Sequence, residues 1–196
     1  MKSNGKKLLV LVLTLSLGIT FIAPVPIAKA NGDLPREVWV DDNWAGTTTG
    51  STVYIVPGPG TATFGVNAFS TIQEAINAVA TRGTVYVNTG TYVENIEIDK
   101  TVNLIGLEDE DGAKPVITTA TTSTNWTTIK LNTGASGTKI ENLMLEVPEG
   151  LTQANGKYYH NIDINKDVSD IQIMNCDFDA NVFLVPTENN EKYKWG

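Results

Sequence analysis

The chain has one cysteine, one histidine, two arginines and no long block of like charge. A single thiol, Cys176, excludes a disulfide within the chain, so stability must come from burial and hydrogen bonding. One cysteine and one histidine also exclude a Cys/His metal cage by count. The histidine, His160, follows Tyr158 and Tyr159, and a lone imidazole beside aromatics reads as surface packing or a core edge. An excess of bases is missing too: 14 Lys and Arg stand against 22 Asp and Glu, a net charge of −8. Residues 1–30 contain four lysines and no acid, so residues 31–196 carry −12. Such a surface repels nucleic acid and anionic lipid headgroups, and neither is expected as a partner.

What is present begins with a secretory pattern. Lys2, Lys6 and Lys7 precede an apolar run from Leu8 to about Val25, and Ala28-Lys29-Ala30 offers small residues where a peptidase cuts. Thr14, Ser16, Gly18 and Pro24 interrupt the run, which argues against a retained membrane span. Residues 1–30 are therefore expected to be a signal peptide, with Asn31 first in a secreted or cell-surface chain. No cysteine lies near the cut to carry a lipid, so no stable membrane anchor is expected. The remainder suffices for one domain with its own core.

Residues 31–66 read as a strand, "EVWVDD", and an irregular leader rich in Gly, Thr and Pro. Next comes an amphipathic helix. Ser70 is placed to cap it, and Ile72, Ala75, Ile76, Val79 and Ala80 fall on one stripe. Gly83 is expected to stop it, with Arg82 in its last turn. From there the period switches to two, with strands expected at 84–88, 92–98, 102–107, 115–119, 127–131, 138–147, 160–164 and 169–178.

An all-β body of this kind is either a sandwich or a solenoid, and internal repetition separates them. Ile140-x-Asn142-Leu143-x-Leu145 matches Ile173-x-Asn175-Cys176-x-Phe178 at an offset of 33, and Leu104-x-Gly106-Leu107 fits the frame at 36. The apolar positions would stack inside, with Asn142 over Asn175 at a turn.

The run "FSTIQEAINAVATRGTVYVNTGTYVENIEIDKTVNLIG", residues 69–106, resembles the entry of right-handed parallel β-helix proteins of the pectin-lyase-like superfamily, and "VWVDDNWAG" resembles the leader of many secreted members. The resemblance implies an all-β fold, a short right-handed parallel β-helix with an N-terminal amphipathic capping helix. The domains would be a signal peptide (1–30), the leader (31–66), the capping helix and coils (67–185) and a C-terminal tail (186–196). With only about three coils and no obvious lid in that tail, the last coil is expected to be covered by a further domain or a partner chain.

Gly90, Tyr92 and Glu94 match a Gly-x-Tyr-x-Glu element of pectin methylesterases in that superfamily. The Gln-Asp pair, the Asp-Phe-x-Phe-Gly segment and the Leu-Gly-Arg-Pro-Trp segment that accompany it there have no counterpart here, which leaves Gly90, Tyr92 and Glu94 as scaffold. Arg36, Arg82, Lys130, Lys139 and Lys166 are the bases a lyase would draw on, and none stands apart from a solvated side chain. No catalytic residue is assigned. Asp109 and Asp111, in "GLEDEDGAK", are candidate calcium ligands, calcium being the one candidate cofactor. Asp163, Asp167, Asp170, Asp177 and Asp179 form a second acidic concentration. Trp126, Tyr158 and Tyr159 are candidate carbohydrate contacts, as aromatics in loop-like segments. Asn125-Trp126-Thr127 is also a glycosylation sequon. The expected function is a β-helix module contacting polysaccharide, without complete catalytic machinery. The alternatives are the N-terminal part of a polysaccharide lyase or pectin-esterase-like enzyme, and a purely structural surface protein.

Overall fold

The computed structural model describes residues 34–56, 58, 60–119, 127–146, 160–178 and 185–186. The expected signal peptide and most of the tail lie outside them, as do Trp126, Tyr158, Tyr159 and Asp179. The leader holds β1 (Glu37–Val40), a 3-10 turn (Asp42–Trp44), β2 (Thr52–Ile55), β3 (Gly60–Thr63) and the two-residue β4 (Ala68–Phe69). Helix α1 (Ile72–Ala78) follows. Twelve strands then come in four groups of three. They are β5 (Thr84–Val87), β6 (Thr91–Val93) and β7 (Ile96–Ile98); β8 (Asn103–Gly106), β9 (Val116–Thr118) and β10 (Thr127–Leu131); β11 (Lys139–Glu141), β12 (Met144–Glu146) and β13 (His160–Ile164); and β14 (Gln172–Met174), β15 (Asp177–Phe178) and β16 (Val185–Pro186).

The first members of the groups pair as β14-β11-β8-β5, extended by β1 and β4 into a six-stranded sheet. The second members form β15-β12-β9-β6, and the third β16-β13-β10-β7. Every pairing in these three sheets is parallel. The protein is thus predominantly β, with parallel sheets.

Register follows from which side chains can be buried, because a slip of one residue would turn each apolar set outward. Val38, Val85, Leu104, Ile140 and Ile173 lie in one line across the six-stranded sheet. Ile96, Ile129 and Ile162 line the third sheet, and Tyr92, Ile117, Leu145 and Phe178 the second. These rows converge on one apolar cluster. The pairs Ile140 with Ile173 and Leu104 with Ile140 reproduce the offsets of 33 and 36 read from the sequence.

The structure corrects five readings. The expected strand 92–98 is two, β6 and β7, which lie in different sheets. The expected strand 138–147 is two strands, broken at Asn142 (φ 61°), and 169–178 breaks likewise at Asn175 (φ 48°). The left-handed backbone turns the chain from one sheet to the next, and asparagine tolerates it better than most residues. The two amides stack there: Asn142 Nδ2 donates to the Gly106 carbonyl at 3.0 Å, and Asn175 Nδ2 to Asn142 Oδ1 at 2.6 Å. The leader is not irregular, since β2 and β3 form an antiparallel hairpin. Its Val53, Ile55 and Ala62 pack with Trp39, Trp44 and Ala68 in a second cluster.

The helix differs at both ends. Thr71, not Ser70, is its N-cap, its hydroxyl accepting from the Glu74 amide. The helix stops at Ala78, short of Gly83, and Arg82 lies beyond it at φ 65°. Lys100 from a later turn supplies the cation instead, donating to the carbonyls of Val79 at 2.6 Å and Asn77 at 3.3 Å. Ile72, Ala75 and Ile76 are fully buried, as is Val79 just past the end, and α1 packs against β1, β4, β5 and β7.

Candidate functional site

Among the described residues, three regions hold the chemistry-bearing side chains: the corner from Asn88 to Asn95, the acidic turn after β8, and the outer face of the six-stranded sheet.

At the corner, β6 follows β5 after a turn at Thr89-Gly90. A Cβ on Gly90 would stand 2.7 Å from the Asp42 carboxylate, so the turn passes close against the leader. Asp42 Oδ2 accepts from the Thr91 amide at 3.1 Å, and Asp41 from the Asn88 side chain at 3.0 Å. Tyr92 is buried, donating its hydroxyl to the Asn88 carbonyl at 2.9 Å. Burial, with Asp42 and Asp41 nearby, pushes its phenol well above the ordinary range. Glu94 reaches α1, where its two oxygens accept from the amides of Ile72 at 2.8 Å and Gln73 at 3.0 Å. Burial pushes its carboxyl up, against the pull of those two amides, and Glu74 adds to the rise. Both oxygens thus fill the helix end that lacks internal acceptors. Gly90, Tyr92 and Glu94 join leader, helix and first strands. Asn95 does a related task, donating to Thr119 Oγ1 at 2.8 Å and to the Thr127 carbonyl at 2.7 Å.

In the acidic turn, Asp109 Oδ1 accepts from the amides of Asp111 at 3.0 Å and Ala113 at 2.8 Å, so this oxygen organises the loop. Glu108, Asp109, Glu110 and Asp111 are all exposed. The second acidic concentration is dispersed: Asp177 pairs with Lys114 at 2.8 Å, Asp170 accepts from Ser169, and Asp163 lies opposite Lys130. Among the described residues no three His, Cys, Asp or Glu side chains are grouped to hold a metal, and no helix is long and apolar enough to cross a membrane. His160 is half-buried at the start of β13, in register with Thr127. Cys176 is half-buried against the core, and burial raises its thiol.

The outer face of the six-stranded sheet carries two continuous rows. Glu37, Thr84, Asn103, Lys139 and Gln172 stand in one line, all polar, and Trp39, Tyr86, Ile105, Glu141 and Met174 in the next. No protein-family model, curated protein or solved structure matches the chain. The face must therefore be read from its own chemistry. Trp39 and Tyr86 stack with ring centroids 5.6 Å apart, and the Tyr86 hydroxyl donates to Glu37 Oε1 at 3.3 Å. Burial first, then the Glu37 charge, raise the Tyr86 phenol. Asn103 Nδ2 donates to Thr84 Oγ1 at 3.4 Å, and Lys139 pairs with Glu141 at 2.6 Å. Strands about 4.8 Å apart make the polar row about 19 Å long.

Sequence reasoning missed this face. Its alternating polar positions were visible, but the line joins residues separated by 47, 19, 36 and 33 positions, and only register brings them together. At the β1 end of the face Trp39 is buried against the β2–β3 hairpin, and the resulting array can donate and accept along its length. That suits an extended polar polymer better than a compact ligand.

Proposed function

We propose that the chain is a secreted or cell-surface module, folded as a right-handed parallel β-helix and closed at its first coil by α1, that contacts polysaccharide with the outer face of the six-stranded sheet. The recurrence of four groups of three strands across three parallel sheets supports the fold, as does the resemblance of residues 69–106 to β-helix entries. The observation that carries the contact is the polar row Glu37, Thr84, Asn103, Lys139 and Gln172. Evenly spaced donors and acceptors on a stiff sheet match the repeating hydroxyls of a linear glycan, with little ordering cost on the protein side.

A glycan array with the purified chain tests the reading. Retention of extended glycans, lost in a Thr84→Val/Asn103→Ala double variant that still folds, is expected. Absence of retention on every neutral and acidic glycan would refute it. Assays for unsaturated uronate and for ester release, run alongside, address the lyase or esterase alternative.

A further inference from the structure

Three of the described lysines of the coils, Lys139, Lys114 and Lys100, are already engaged, while Lys166 is exposed in the turn after β13. Lys139 Nζ lies 2.6 Å from Glu141 Oε2, and Lys114 Nζ lies 2.8 Å from Asp177 and donates to the Asn175 carbonyl at 2.8 Å. Lys100 donates to two carbonyls at the end of α1. Lys130 stands in register between Glu97 on one side and Asp163 on the other. Of the two carboxylates on the face, Glu141 shares its charge with Lys139, while Glu37 has no ion pair among the described residues. Glu37 begins the polar row and accepts from Tyr86 through one oxygen, and a carboxylate has further lone pairs to offer. Glu141 is the fourth of five in the neighbouring row, between Ile105 and Met174.

Resting on the proposed polysaccharide contact, we infer that the face selects neutral glycans over polyuronates. A neutral sugar brings hydroxyl donors, which carboxylates accept in charge-assisted hydrogen bonds. A uronate brings a second carboxylate beside Glu37 and Glu141, and Lys139 could meet it only by leaving Glu141. Residues 31–196, at −12, add a long-range repulsion in the same direction. Like-charge juxtaposition is costly enough for a preference of tenfold or more.

The test compares immobilised β-glucan, xylan and mannan with polygalacturonate and alginate, in chelator to remove divalent bridging. Neutral polymers are expected to be retained about tenfold or more tightly, the gap narrowing as salt rises. A Glu37→Gln/Glu141→Gln variant should close the gap by raising polyuronate retention, with its melting temperature showing that the fold persists. Polyuronates held as tightly as neutral polymers, or no effect of the double variant, would overturn the selectivity and leave polysaccharide contact standing. No retention of any polymer would instead remove the contact itself.

Discussion

Replacing Asn142 tests how the corners between sheets are held. Its side chain makes two hydrogen bonds within the stack, one to the Gly106 carbonyl and one from Asn175, on a backbone at φ 61°. Each bond contributes about 1 kcal/mol net, and alanine in the left-handed region costs about 1 kcal/mol more. Asn142→Ala should therefore destabilise by about 3 kcal/mol. Asn142→Gly, which loses the same bonds but accepts the backbone, should lose about 2 kcal/mol. Urea unfolding gives both values from the midpoint and slope. In the double variant Asn142→Ala/Asn175→Ala, the amide bond common to the two sites is lost only once. The combined loss should fall short of the sum by about 1 kcal/mol. Equal losses for alanine and glycine would show that the backbone is not strained there, and strict additivity that the amides do not cooperate. Gly106 adds a control, because a Cβ there would overlap the Asn142 carbonyl, so Gly106→Ala should be at least as damaging.

Further predictions concern other joints. Glu94→Ala removes two bonds to a charged acceptor, a loss of about 3 kcal/mol measurable by denaturation. Because burial raises the folded carboxyl, its protonation contributes stability that is full below the unfolded glutamate pKa and lost as pH rises through the folded one. The advantage of the native residue should thus shrink from acid toward neutral pH, and a growing advantage would contradict the assignment. Tyr92, raised further, should resist ionisation while the fold lasts, and comparison with Tyr92→Phe in alkaline ultraviolet titration isolates its signal. Lys114→Met frees Asp177 and the Asn175 carbonyl, so amide-exchange protection should fall in β14 and β15 and hold in β5 and β8.

Local pattern carried part of this architecture. Alternation marks 84–88 and 102–107 as strand because each second side chain is buried, and the offset of 33 is legible because Ile140 and Ile173 share a position in the core. The breaks at Asn142 and Asn175 show only as a one-residue slip of such alternation, from Ile140 to Leu143 and from Ile173 to Cys176, which a bulge in one continuous strand would also produce. The helix ends misled for a related reason: Glu94 and Lys100 take over tasks that Ser70 and Arg82 would serve in an isolated helix. Gly-Pro content concealed the hairpin, whose Val53, Ile55 and Ala62 find their partners in Trp39 and Trp44. The outer row of Glu37, Thr84, Asn103, Lys139 and Gln172 was illegible because it depends on the length of every intervening turn.

The position of β1 between β4 and β5 bears on the timing of assembly. It is the first of these strands to be synthesised, yet its longer partner ends only at Val87, about fifty residues later. At ribosomal rates that interval is several seconds, during which a Val-Trp-Val segment lacks its β5 edge and has only the two-residue β4 to pair with. Nascent β1 is thus a sticky intermediate whose safe burial waits on chain made after it, and a holdase acting in that window should raise the yield of folded protein more than one added after release.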